Sequence, residues 1–358
     1  MTKPSYRIMI LSRETIYSEP EEYPAWPSIA KALDGTLICV FSGGREGHTD
    51  PYGKIKMVKS YDGGETWREL ETVASTVIDD RDPGVLVLPF GEILVSWFTI
   101  DTGEKLKLYD SYYPQSTASW RRHLEKIPLK DREAAIGNWA TTWDAARHVW
   151  MPRVSTIART PHGPIQLADG RLLLVGNCGR KYLAVESGDD GRSWHVIGEV
   201  PWYYRDEITL DEAMTIELPG GELRTLWRSE NIKGKKRYDH PFLFQSESQD
   251  GGRTWSIPLA TEIEGFPAHL LYLPERDLVL AVYGWRYDPY GISLCVSRDH
   301  GDTWNTEDDE LILADDGMTD DLGYPCTVAM GDDEFLTVYY EGTGWHSKIK
   351  AVRWRLQP

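Results

Sequence analysis

The chain has 358 residues, 41% of them hydrophobic, with 15 Trp and 19 Tyr. This is ample material for a core and excludes an intrinsically disordered protein. Its formal charge of -17 argues against nucleic acid or an anionic membrane face as partner, since both are polyanions, and an anionic substrate needs a locally cationic pocket.

The N-terminal stretch "MTKPSYRIMILSRETIYSE" has no apolar run bounded by a small-residue cleavage site, and no window approaches a membrane-spanning length. A soluble protein is expected, cytoplasmic unless a leader has been removed, with no membrane partner. Cys39, Cys178, Cys295 and Cys326 are far apart, which fits buried thiols rather than zinc ligands or a disulfide framework. No cofactor and no metal are expected.

In chain order, "YRIMILS" from Tyr6 predicts an early strand, and "KALDGTLICVF", "VLPFGEILVSWF", "QLADGRLLLVGN", "ELPGGELRTLWR", "YLPERDLVLAVY" and "AMGDDEFLTVYY" each predict strand, turn and second apolar strand. Their turns recur about every 50–57 residues once a wider gap between the second and third is allowed. That gap holds "STASWRRHLEKIPLKDREAAIGNW", Ser116 to Trp139, whose spacing predicts a helical insertion.

Four octets, "SYDGGETW", "SGDDGRSW", "SQDGGRTW" and "SRDHGDTW", follow short alternating runs after repeats one, three, four and five. In each, Asp62, Asp189, Asp250 or Asp299 can accept turn amide hydrogens, glycine supplies positive φ, and the Trp packs beneath the turn. One carboxylate per turn makes a poor calcium site. Fixed-period all-β repeats of this size predict propeller blades, and six copies predict a six-bladed β-propeller over residues 1–358. The last strand, "KIKAVRWRL", and the early strand can share a blade and close the ring.

The octets resemble the Asp-box, or bacterial neuraminidase repeat, and the chain is similar to six-bladed sialidases along nearly its whole length. That resemblance implies an arginine triad gripping a substrate carboxylate, an Asp general acid, and a Tyr nucleophile activated by a Glu. "DLGYPCTVAMGDDEFLTVYYEG" is similar to the nucleophile segment, which implies Tyr324 as nucleophile and Glu341 as the carboxylate orienting the first arginine. "TLDEAMTIELPGGELRTLWRSE" implies Glu212 as activating base and Arg228 as a triad member. "YGWRYDPYGISLCVSRDHGDTW" implies Arg286, and "SGGREGHTDPYGKIKMVKS" implies Asp50 as acid with Arg45 and His48 beside it. The chain departs from the sialidase pattern at "EYPAWPSIAKALDG", where Ala25 and Trp26 stand before Pro27 and the first triad arginine is missing; Arg45 is the cation expected to compensate.

His48, His162 and His269 fall at blade starts, where they could line a sugar site or carry protons. Trp26, Trp97, Trp227 and Trp285 lie near the same ends and could stack on sugar rings. The expected activity is sialidase-like release of a terminal, acidic sugar from a small glycan or oligosaccharide. A His-dependent lyase or rhamnosidase acting on uronate-containing glycans, and a non-catalytic carbohydrate-binding propeller, are the alternatives.

Overall fold

Each predicted hairpin becomes the inner half of one antiparallel sheet. The protein is seen in a computed structural model that describes residues 6–110, 114–232, 234, 240–331 and 333–357; Asp332, in the turn of the sixth repeat, lies outside them. Six sheets form, five of four strands and one of five. Their innermost strands are Ala25–Lys31, Asp79–Val87, Ile165–Gln166, Ile208–Glu217, Ala268–Leu273 and Leu322–Gly331. These are taken below as blades 1 to 6 of a six-bladed β-propeller.

The core is divided among the seams. One cluster of buried apolar side chains fills each of the six interfaces between neighbouring blades, for example Ile38, Val40, Val85 and Val95 between blades 1 and 2, and Leu280, Leu294, Phe335 and Trp354 between blades 5 and 6. A strand buried on both faces needs no polar alternation, which is why second strands such as Leu278–Trp285 read as near-continuous apolar runs. Between blades 2 and 3 the approach is closer: a Cβ on Gly84 would stand 2.2 Å from the Gly163 amide nitrogen.

The ring closes as expected. Strand Arg7–Tyr17 pairs antiparallel with Ser347–Gln357, so blade 6 joins both ends of the chain.

Every octet is a corner between the third and fourth strands of its blade. In blade 1, Ser60 Oγ donates to Asp62 Oδ1 at 2.8 Å and accepts from the Gly64 amide at 2.8 Å, while the Thr66 amide donates to Asp62 Oδ1 at 2.9 Å and Trp67 Nε1 donates to the Gly64 carbonyl at 3.1 Å. The Asp62 carboxylate is held well below its ordinary range by the hydrogen bonds from Thr66 and Ser60. The octets staple hairpins.

The insertion comprises short helices Leu106–Tyr109, Pro114–Glu125 and Leu129–Ala135 between the second and third strands of blade 2. It ends earlier than the spacing suggested, because Trp139 belongs to strand Gly137–Asp144, paired with Trp97 across the sheet. Leu106, Trp120, Leu124 and Ala135 pack on Ile78. Trp120 Nε1 donates to Glu46 Oε2 at 2.9 Å, so the arm braces the loop that carries Arg45 to Asp50. Among the described residues no helix is long and apolar enough to cross a membrane.

Candidate functional site

Four inner strands carry the same irregularity. The ladder register shifts between Ala25 and Ser28, Arg81 and Gly84, Asp211 and Met214, and Gly323 and Cys326. Within each bulge one non-glycine residue has positive φ: Trp26 at 53°, Asp82 at 52°, Glu212 at 53° and Tyr324 at 52°. Three of these precede a proline, which removes a ladder donor, and a bulge re-aims the side chain it carries. Such conformations cost on the order of 1–3 kcal/mol each and gather at functional sites. Here they bring side chains from blades 1, 2, 4 and 6 together.

Tyr324 donates its phenol proton to Glu212 Oε1 from across the ring. Glu212 is held by Arg228, whose Nη1 donates to Oε1 at 3.0 Å and Oε2 at 2.8 Å. Burial first, then the charges of Glu212 and Asp82, holds the Tyr324 phenol well above its ordinary range. Such a phenol is nucleophilic only if a base takes its proton, and Glu212 is in contact to do so.

The structure thus brings Tyr324, Glu212 and Arg228 together. Arg228 has both terminal nitrogens committed, Nη1 to Glu212 and Nη2 to Glu230, so it orients the base rather than offering a free clamp. Arg286 reaches from blade 5 to blade 6, donating Nε to the Leu322 carbonyl at 2.8 Å while stacking over Phe266 at 4.7 Å. Among the described residues it has no carboxylate partner, which leaves its terminal nitrogens for an anion.

His48 also faces this space, its side chain 46% exposed. Tyr23 donates to Asp321 Oδ1 at 2.5 Å and has only one proton, so its oxygen accepts from His48 Nδ1 at 3.2 Å. This fixes the tautomer with Nδ1 protonated and Nε2 bare. Though solvent-accessible, the ring lies in a concavity walled by protein, and desolvation, then Arg81, Arg45, Arg286 and Arg228, hold its pKa well below the usual 6.5.

Several nominated residues stand elsewhere. Asp50 is 0% exposed and its carboxylate accepts from the Glu46, Gly47 and Tyr52 amides at 2.5, 3.0 and 2.8 Å. It ties the loop together and cannot reach a leaving group; the residue of that loop facing the channel is His48. Arg45 is buried against Asp79 and does not replace the missing arginine as a substrate contact. Glu341 pairs with Lys350 at 2.6 Å and, among the described residues, has no arginine to orient.

His162 and His269 are buried against each other with ring centroids 5.4 Å apart, beneath the accessible face. Burial brings His162 down to about 4. Trp26 is 1% exposed and cannot stack on a sugar; its ring supports the guanidinium groups of Arg45 and Arg81 at 4.6 and 4.3 Å. Trp97 and Trp227 are core residues donating to Asp80 and Ser246, and Trp285 packs on Tyr287.

Sequence reasoning missed Asp79, Arg81, Asp82, Asp321 and Tyr23. Asp79 is fully buried between Arg45 and Arg81, and burial pushes it up to about 7 against their attraction. Asp82 takes its place by the same bulge as Trp26 and Tyr324, so the Pro-preceding residue in "RDPGV", parallel to "AWPSI" and "GYPCT", was the available signal.

Residues 35–338 match the family described as BNR repeat-like domain. The chain belongs to this family. Among solved structures, this BNR repeat-like protein is similar to a protein of unknown function from Dyadobacter fermentans, with TM-score 0.77 and 22% identity over 98% of this chain and 99% of that one. It is also similar to the NanB sialidase of Streptococcus pneumoniae, with TM-score 0.69 and 14% identity over 96% and 70% of the two chains. The alpha-L-arabinanase of Penicillium chrysogenum gives TM-score 0.63 and 13% identity over 96% and 98%. At these identities the likeness is one of fold. No curated protein matches the sequence.

Proposed function

We propose that this protein is a glycoside hydrolase that removes a terminal acidic sugar from a small glycan by way of a tyrosyl intermediate. The observation that carries the reading is the hydrogen-bonded chain from Tyr324 through Glu212 to Arg228. A Tyr nucleophile is one known exception to the two-carboxylate scheme of glycosidases, and a neutral phenol approaches an anionic sugar without repulsion.

In the proposed first step the Tyr324 oxygen bonds to the anomeric carbon, Glu212 receives the phenol proton, and the bond to the leaving oxygen breaks. That oxygen takes its proton from Nε2 of protonated His48, which Tyr23 and Asp321 hold in place. In the second step water adds to the anomeric carbon and returns a proton to His48, while the tyrosyl oxygen leaves and recovers its proton from Glu212. Arg286, on the side of blades 5 and 6, is a cation free to hold the substrate carboxylate.

A second reading rests on the low pKa of His48. A neutral imidazole with a bare Nε2 beside arginines suits proton abstraction from a uronate, followed by elimination. One experiment separates the two: wild-type protein is incubated with aryl α-sialosides, aryl uronides and uronate oligosaccharides, and products are followed by mass spectrometry and ultraviolet absorbance. Release of the terminal sugar with an adduct on Tyr324 supports hydrolysis. A product absorbing as a conjugated alkene, with no gain of water, refutes it.

A further inference from the structure

The channel holds more positive charge than one carboxylate requires. Arg159 and Lys105 stand on the side formed by blades 2 and 3, away from Arg286, and among the described residues neither has a carboxylate within ion-pair distance. In a chain of formal charge -17, cations left unpaired beside a catalytic cluster call for an occupant.

Arg159 is built rather than loose. Its main chain exchanges two hydrogen bonds with Asn177, both 3.0 Å, and its guanidinium lies over the Phe98 ring at 4.3 Å. The same ring is approached by Arg81 at 5.9 Å, and Phe98 pairs with Arg81 across the blade 2 ladder. Phe98 therefore spaces two guanidinium groups at the edge of the channel. Lys105 reaches solvent from within the concavity, where desolvation first, then the charges of Arg81 and Arg159, hold its pKa below the ordinary value against the attraction of Asp79 and Asp82. It comes from the start of the helical insertion, a segment that the six-fold repeat does not require. The negative charges facing this group are Asp79 and Asp82 near Lys105, and Asp82 and Asp211 near Arg159. Asp79 and Asp82 are already engaged by Arg45 and Arg81.

We propose that Arg159, stacked on Phe98 beside Arg81, and Lys105, at the start of the insertion that follows the strand of Phe98, form a second anion subsite, so that the substrate is a glycan carrying two negative groups: the carboxylate of the terminal sugar and, beside it, a sulfate ester or second carboxylate. This rests on the glycosidase reading of the same channel. Arg159 presents a planar fork suited to either oxyanion, and Lys105 a point charge. The arm that carries Lys105 is then the element that selects for the second charge.

The test uses full-length protein carrying Tyr324→Phe, so that probes are bound and not consumed, with calorimetric titration. The probes are hyaluronan disaccharide against its O-sulfated chondroitin counterpart and against digalacturonate, and 3'-sialyllactose against α2,8-linked disialic acid. The dianion is expected to bind at least about tenfold more tightly than the monoanion in one of these sets. Arg159→Gln and Lys105→Met are each expected to weaken dianion binding on the order of tenfold and to bring the ratio towards one. Which dianion wins tells sulfate from carboxylate. A ratio within twofold of one in every set, or a ratio that both substitutions leave intact, overturns the subsite. Turnover by wild-type protein, measured in parallel, keeps the two claims apart. Hydrolysis without dianion preference sinks the subsite alone, and dianion preference without hydrolysis sinks the glycosidase reading alone.

Discussion

His162 offers a quantitative test of the channel floor. Its ring is buried, both nitrogens lack a hydrogen-bond partner among the described residues, and its pKa falls from 6.5 to about 4. A folded-state pKa below the unfolded one means that the unfolded chain binds more protons across that interval. The stability associated with neutral His162 is therefore fully present above about pH 6.5 and is lost as pH falls towards 4. At 1.36 kcal/mol per unit the loss amounts to about 3 kcal/mol. Because the side chain is buried, solvent screening does not reduce it much. Asp79 and Asp211, raised by burial to about 7 and about 6, act in the opposite sense over the same range, so the wild-type curve alone is not diagnostic.

Comparison with His162→Leu isolates the group, since Leu fills similar volume and does not titrate. Urea unfolding at half-unit steps from pH 7.5 to 4 is expected to show the variant gaining about 3 kcal/mol relative to wild type as pH falls, whatever their difference at pH 7.5. His269, also held low by burial, titrates in both proteins. Parallel curves would refute the placement of His162 in a dry floor and return it to the wet channel face.

Glu212→Gln is expected to lower kcat by about 10²–10⁴-fold, and Tyr324→Phe by at least as much, with both proteins keeping the wild-type circular dichroism; near wild-type turnover by either on any aryl glycoside cleaved by the parent counts against the tyrosyl route. As proton donor, His48 must be charged in the free enzyme, so kcat/KM should fall with rising pH along a limb centred below 6.5, the direction in which desolvation and four arginines move it. His48→Gln should flatten that limb and spare 4-nitrophenyl glycosides, whose leaving group needs no proton; equal losses on good and poor leaving groups contradict the role. Asp79→Ala leaves the fully buried Arg45 without its acceptor and is expected to cost about 3–5 kcal/mol in denaturant titration. Gly84→Ala drives a Cβ to 2.2 Å from the Gly163 nitrogen and should cost about 1–3 kcal/mol or more; a melting temperature within a degree of wild type would mean that the seam between blades 2 and 3 yields more easily than its geometry indicates.

The fold was legible because it is periodic: six hairpins with turn residues at regular spacing encode six inner strand pairs, and the octets encode four of the corners. The site was legible only where a side chain's identity constrains its surroundings. Tyr324, Glu212 and Arg228 met as expected since each sits at a fixed place in its blade. Asp50 misled because a loop Asp reads the same in sequence whether its oxygens face a substrate or three backbone amides. Glu341 misled for a similar reason, as its partner Lys350 lies across a strand pair whose facing the pattern leaves open. Arg159 and Lys105 have no local signature, because what distinguishes them is the absence of an ion-pair partner in three dimensions.

Blade 6 supplies the proposed nucleophile on its innermost strand and takes its outermost strand from residues 7–17, paired with residues 347–357. The pairing spans more than three hundred residues of sequence, a contact whose loop-closure entropy must be met before it contributes anything. A ribosome would emit Tyr324 while the ring is still open, with Glu212 two blades away and no seam to hold the hydroxyl against it. The proposed chemistry is in this way tied to closure of blade 6: a proteolytic cut that frees strand Arg7–Tyr17 is expected to switch off a site whose nucleophile and base lie on other strands.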